Sequence, residues 1–278
     1  MKLPKPRKII AEKYVAGLSL FKSRRSPIKL SANESALGPS PKAVKSYSSI
    51  GKGFVRYPDS DGTFFRKVLA KKFRLKRDRI ILGSGSDQIF ELVCKLFLNK
   101  GDEVIVPEYS FIIYRIYSRM FGAKVRYAKE ENFKPSVQSI LDQVSRKTKI
   151  VFLANPNNPT GTYLDKFEIL KLRKKLRSDI LLVIDDAYYE YINDPNYSSG
   201  IQLFSKSKNV LVTRTFSKIY GLAGLRIGWA YGSKEIIKKL YEIKPPFNVS
   251  RPALFAATQA IQDSKWLNKA INHNNFWA

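Results

Sequence analysis

Histidine and cysteine are nearly missing from this sequence, with one of each, His273 and Cys94, in 278 residues. A lone cysteine excludes an intrachain disulfide, and a reducing cytoplasm is the expected compartment. Cys94 falls on the helical stripe Ile89, Leu92, Val93, Leu96, Phe97 and reads as core. A single histidine in a polar tail leaves no Ser-His-Asp triad and no His-rich metal site. Long hydrophobic runs are missing too: nothing approaches the ~20 apolar residues a membrane span requires. Residues 1–10 carry no signal-peptide core. Acidic residues are scarce, 23 Asp+Glu against 50 Lys+Arg, for a formal charge of +27. The basic residues are spread along the chain rather than gathered in a patch or tail, so neither nucleic acid nor membrane is the expected partner. The positive field instead favours small anions within a Debye length, about 8–10 Å. There is no internal repeat and no low-complexity segment.

What is present is an alternation of short apolar runs with amphipathic segments. Strands are expected at 80–82, 104–106, 124–127, 150–154, 180–184, 210–212 and 227–231, the last antiparallel to its neighbours. Helices are expected at 63–73, 86–97, 109–121, 136–144, 165–176 and 252–262, and another starting at Ser40-Pro41, a cap followed by proline at the first helical position. This rhythm predicts an α/β fold with a mostly parallel sheet buried on both faces. Lys244-Pro245-Pro246-Phe247 is a rigid break.

The stretch from Thr213 to Gly228 organises the rest. Ser217 and Lys218 sit where the 210–212 strand ends, and Arg226 follows a run of small residues. Open α/β sheets bind ligands beyond the carboxyl ends of their strands. A lysine there can form a Schiff base with a carbonyl, and serine and arginine suit a phosphate. Aldehyde and phosphate on one small molecule point to pyridoxal phosphate. Other strand ends offer the remaining parts. Gly85-Ser86-Asp87 opens a helix and can cradle phosphate. Asp185 can hold a protonated pyridine nitrogen. Asn158 and Tyr188 can donate to the ring oxygen, and Tyr109 can stack on the ring. Each has an ordinary structural reading, as turn, cap or core; their succession at strand ends joins them.

Asn155-Pro156-Asn157-Asn158-Pro159-Thr160-Gly161, Asp185-Asp186-Ala187-Tyr188 and Ser217-Lys218 through Gly224-Leu225-Arg226-Ile227-Gly228 resemble fold-type I, class II-like aminotransferases. Ile10 to Gly17, Asn33-Glu34 through Gly38-Pro39-Ser40-Pro41, and Arg56-Tyr57-Pro58-Asp59 look like the histidinol-phosphate aminotransferases among them. The resemblance implies a pyridoxal-phosphate enzyme with Lys218 as the catalytic amine. It places Asp185 on the pyridinium, Asn158 and Tyr188 on the ring oxygen, Tyr109 on the ring face, and Ser86, Asp87, Ser217 and Arg226 on the phosphate. It sends Tyr57 to the phosphate of a neighbouring subunit, hence a homodimer, and puts Tyr14 at the substrate mouth. It implies an arm and lid over 1–40, a cofactor-binding large domain over 41–243, and the start of a truncated small domain over 244–278. The substrates implied are L-histidinol phosphate and 2-oxoglutarate, with aromatic amino acids or an inactive cofactor- or nucleic-acid-binding fragment as alternatives. The family's Asn-Glu-Asn-Pro reads Asn33-Glu34-Ser35-Ala36 here, and the acid after the phosphate-loop aspartate is Gln88. The family's later substrate-gripping arginine has no counterpart, so substrate handling is expected to suffer more than cofactor binding. Trp266, Leu267, Phe276 and Trp277 are expected to be exposed.

Overall fold

The computed structural model describes residues 9–15 and 29–278. Strands β1 (Ile80–Gly83), β2 (Glu103–Pro107), β3 (Lys124–Ala128), the short pair β4 (Glu130–Glu131) and β5 (Lys134–Pro135), then β6 (Thr148–Ala154), β7 (Leu181–Asp185), β8 (Val210–Thr215) and β9 (Gly228–Tyr231) follow one another along the chain. All but β4 and β5 join one sheet in the order β1-β9-β8-β7-β6-β2-β3. From β3 to β8 the neighbours are parallel. β9 is antiparallel to both β1 and β8, as the sequence predicts.

Side chains along a strand point alternately to opposite faces. Ile105, Val151, Leu153, Leu182, Ile184, Val210 and Val212 feed one apolar cluster. Val104, Val106, Ile150, Phe152, Leu181, Val183 and Leu211 feed the other. Both faces are therefore covered, which is why these strands read as continuous apolar runs. The helices are α1 (Pro41–Ser48), α2 (Thr63–Phe73), α3 (Gly85–Phe97), α4 (Ile112–Met120), α5 (Val137–Asp142), α6 (Lys166–Lys175), α7 (Gly200–Phe204), α8 (Lys234–Ile243), α9 (Arg251–Gln262) and α10 (Ser264–Trp277). α3, α4 and α8 cover the Leu211 face, and α1, α2, α5, α6, α7 and α9 the other. Ser40 caps α1, its Oγ accepting from the Ala43 N–H at 3.1 Å, and Pro41 starts the helix.

The structure departs from the sequence expectations in several places. α4 starts at Ile112 rather than 109, because the Ser110 N–H bonds the Pro107 carbonyl at 3.2 Å and closes a turn ahead of the helix. α7, α8 and α10 are additional, and α10 continues through the segment that reads as a polar tail. Beyond the break at 244–247, α9 buries Ala253, Leu254, Ala257 and Ile261 in the same cluster as Ala43 of α1 and Phe65 and Leu69 of α2. Leu267 packs against that cluster, whereas Phe276 and Trp277 are exposed. Among the described residues no helix is long and apolar enough to cross a membrane.

Phe152 links this core to the chemistry above it. Its ring lies parallel to Tyr114 with centroids 5.0 Å apart and meets Phe90 edge-on at 5.9 Å. Phe152→Ala is expected to lower unfolding free energy by about 3–5 kcal/mol, the usual cost of removing a buried aromatic ring. Urea titration measures it, and a loss below about 1 kcal/mol contradicts this packing.

Candidate active site

The carboxyl ends of β6, β7 and β8 open onto a cavity of about 590 Å³. Ser86, Asp87, Asn158, Asp185, Tyr188, Ser217, Lys218 and Arg226 line it, together with Tyr14 and Asn33 from the N-terminal side. The fold thus gathers residues from sequence-distant loops into one space, because parallel strands deliver their ends to the same edge.

Asp185 forms the buried floor. Pairing of β7 with β8 sets Asp185 opposite Thr213, and the Thr213 hydroxyl donates to Oδ1 at 2.9 Å. The Tyr114 hydroxyl, from α4, donates to Oδ2 at 2.7 Å. Burial pushes the Asp185 carboxyl up to about 6, against the lowering effect of these two hydroxyl donors. Burial and the Asp185 charge hold the Tyr114 phenol well above its ordinary range, so it remains a donor.

Opposite chemistry collects at the start of α3. Gly85 has φ of 74°, and a Cβ there would fall 2.4 Å from the Arg226 Nη2. A Cβ on Gly228 would fall 2.6 Å from the Ser86 nitrogen. Glycine at these positions lets the helix start, β9 and the guanidinium close on one another. Arg226, itself left-handed at φ 50°, donates through Nη1 to Ser217 Oγ at 3.2 Å and pairs through Nη2 with Asp87 at 3.1 Å. The Asp87 carboxyl is pushed up by burial and pulled down by Arg226 and Lys218. Hydroxyls, guanidinium and helix-start N–H groups together form an anion cradle.

Lys218 lies on a tight turn in which the Gly221 N–H bonds the Lys218 carbonyl and the Leu222 N–H bonds the Phe216 carbonyl, each at 2.9 Å. Its Nζ donates to the Asn33 carbonyl at 3.2 Å and sits 5.4 Å from the centre of the Tyr188 ring. Asn33 Nδ2 donates to the Tyr188 hydroxyl at 2.9 Å. In the neighbouring turn Asn155 is structural, bonded both ways to the Leu164 backbone, which leaves Asn158 on the cavity.

One expected position lies elsewhere. Tyr109 is outside the cavity: the turn at 107–110 carries its ring against Phe133, 5.7 Å away, and its N–H donates to Glu130. Phe111, two residues on, lines the cavity instead and meets Tyr114 edge-on at 5.8 Å. Tyr57, whose expected role lies in a neighbouring subunit, is outside its own chain's cavity, exposed and stacked on Phe247 at 4.7 Å. Gly17, and residues 1–8 and 16–28 of the expected arm, lie outside the described residues. Gln88 accepts from the Ser84 N–H and from Asn248 Nδ2 and ties the start of α3 to the 244–250 segment. Tyr114 is an addition, and Thr213 and Asn33, which lie in motifs legible in the sequence, gain site contacts that the motifs do not give them; an aromatic one helical turn before Ser118 on a buried stripe is the available signal for Tyr114.

This donor set fits pyridoxal phosphate. A buried carboxylate whose partners here are neutral donors suits a protonated ring nitrogen, the cradle suits a phosphate, and Lys218 offers an amine to the same cavity. Gly85→Ala is expected to weaken pyridoxal-phosphate binding at least about tenfold, since its methyl would displace Arg226. Absorbance titration with the cofactor measures this, and unchanged affinity contradicts the cradle.

Residues 25–275 match the family described as aminotransferase class I and II. The chain is 52% identical over 274 residues to the histidinol-phosphate aminotransferase of Pelagibacter ubique, covering 99% of this chain and 76% of that protein. It is 42% identical over 264 residues to that of Maricaulis maris, covering 95% of this chain and 73% of the relative. A crystal structure of histidinol-phosphate aminotransferase from Sinorhizobium meliloti in complex with pyridoxal-5'-phosphate superposes with a TM-score of 0.83 at 26% identity, over 87% of this chain and 66% of that one. With a matching family over nearly its whole length and relatives at this identity, the chain belongs to the class I and II aminotransferases.

Proposed function

We propose that this protein transfers the amino group of L-histidinol phosphate to a 2-oxo acid, with 2-oxoglutarate as the acceptor, as a step of histidine biosynthesis in the cytoplasm. The observation that carries the proposal is the convergence of Lys218, Asp185 and the Arg226 cradle on one cavity, in a chain related to histidinol-phosphate aminotransferases. Pyridoxal phosphate, when bound, supplies an electron-accepting ring that stabilises negative charge on the carbon bearing the substrate's amino group.

The protein's own residues supply the rest. Lys218 holds the aldehyde end of the cofactor and moves the proton at the amino-bearing carbon. Asp185 keeps the ring nitrogen protonated, and Tyr114 and Thr213 fix the direction of its carboxylate. Asn158 and Tyr188 donate to the ring oxygen. Phe111 packs on the ring face, the role expected of Tyr109. Ser86, Ser217 and Arg226 bind the phosphate, and the Asp87 carboxylate holds Arg226 in place. Tyr14 faces the substrate at the mouth. On this reading residues 41–243 hold the cofactor, and α9, within 244–278, packs on the same core. Tyr57, exposed beside Phe54 and Val55, serves the phosphate of a second copy, so that a homodimer holds two shared sites.

Lys218→Ala is expected to lower kcat by roughly 10²- to 10⁴-fold, the range for loss of a general acid–base. Borohydride reduction and peptide mapping should place the pyridoxyl adduct of the wild-type protein on Lys218. Turnover of histidinol phosphate should exceed that of phenylalanine; the reverse order, or an adduct elsewhere, overturns the assignment. Mixing Lys218→Ala chains with Tyr57→Ala chains should restore turnover, because one of the two shared sites then carries neither lesion. No recovery in a mixed dimer contradicts sharing.

A further inference from the structure

α4 faces three ways. Tyr114 points into the core and holds Asp185 at 2.7 Å. Phe111, at its N-cap, lines the cavity. Arg115 and Arg119, four residues apart and therefore on one side of the helix, reach outward to the N-terminal arm. Arg115 Nε donates to Glu12 Oε2 at 2.9 Å and Arg119 Nη1 donates to Glu12 Oε1 at 2.5 Å. Arg119 is itself steadied by β3, its Nη2 donating to the Tyr127 hydroxyl at 3.1 Å. The Arg119 bond is the main influence holding the Glu12 carboxyl below its usual range, so the clamp is charged at neutral pH.

Glu12 is two residues from Tyr14, which lines the cavity. Two residues of fully extended chain reach about 7 Å. A carboxylate fixed on α4 at residue 12 therefore confines where residue 14 can stand. Neither arginine lines the cavity; their ion pairs with Glu12 connect them to it through the arm.

We propose that Glu12, Arg115 and Arg119 are positioning residues that hold Tyr14 at the cavity mouth and thereby set the affinity for substrate without taking part in the chemistry. This rests on the transamination of histidinol phosphate proposed above. One rigid helix then fixes the floor of the site through Tyr114 and its mouth through the two arginines. The clamp is partly exposed, and exposed ion pairs are individually weak, so the effect is modest.

The experiment compares the wild-type protein with Glu12→Gln, with Arg115→Met/Arg119→Met, and with all three changes combined. KM for histidinol phosphate is expected to rise about two- to tenfold in each, with no further rise in the combination. kcat and pyridoxal-phosphate affinity should stay within about twofold. Tyr14→Phe should raise KM in the wild-type background and much less in the Glu12→Gln background, a coupling that a merely structural role does not produce. A second readout is independent of substrate: tryptic cleavage after Lys13 should accelerate in Arg115→Met/Arg119→Met, whose cleavage site is unaltered. Faster cleavage with unchanged KM overturns the link to substrate. Unchanged cleavage overturns the clamp itself. Absence of any histidinol-phosphate turnover in the wild-type protein, with cleavage still accelerated, overturns the substrate reading while leaving the clamp in place.

Discussion

The Asp185 carboxylate stands at the end of a central strand, withdrawn from water, with two hydroxyls and the Ala187 backbone N–H for hydrogen-bond partners. An ionised group in such surroundings is costly unless something compensates for the lost hydration. Besides the Ala187 N–H, two pieces of the fold supply partial compensation. Strand register brings Thr213 opposite it, and a stack of Phe152 on Tyr114 brings a phenol to its other oxygen. What remains uncompensated is the charge itself, which is the property that a protonated ring nitrogen requires of its partner. The buried sheet, the aromatic cluster beneath α4 and the cofactor site are thus parts of one arrangement.

At the anion cradle the constraint is one of space. The start of α3, the turn before β9 and the Arg226 guanidinium approach so closely that side chains at Gly85 and Gly228 would collide with them. Arg226 adopts a left-handed conformation to reach Ser217 and Asp87 together. Gly221 does the same service for the arm, since a Cβ there would fall 2.3 Å from the Gly38 backbone. The approach of residues 33–38 to the Lys218 turn is how Asn33 comes to bond both Lys218 and Tyr188.

Much of this arrangement is legible along the chain because strand ends are local signals. An apolar run followed by glycine, asparagine or aspartate marks where β1, β6 and β7 stop, an apolar run followed by serine and lysine marks the end of β8, and parallel topology does the gathering. Asp185, Lys218, Ser217 and Asn158 are found this way. Tyr114 is not, because its link to Asp185 spans 71 residues and depends on how α4 packs on the sheet. Tyr109 and Phe111 show a finer limit. Both are aromatics in the right loop, and only the turn closed by Pro107 and Ser110 decides which ring meets the cavity. α8, by contrast, carries its signal in plain view, a stripe of Ile236, Ile237 and Leu240 at helical spacing.

The most direct test of the account is the ionisation of Asp185, followed by the chemical shift of its labelled side-chain carboxyl carbon as pH is varied, with and without pyridoxal phosphate. Burial predicts titration near 6 in the cofactor-free protein. Pairing with a protonated ring nitrogen predicts that the same carboxyl stays ionised from about pH 5 upward once the cofactor is bound. A carboxyl that titrates at the ordinary aspartate value of about 3.9 without the cofactor, or whose titration is unmoved by it, contradicts the central role assigned to this residue.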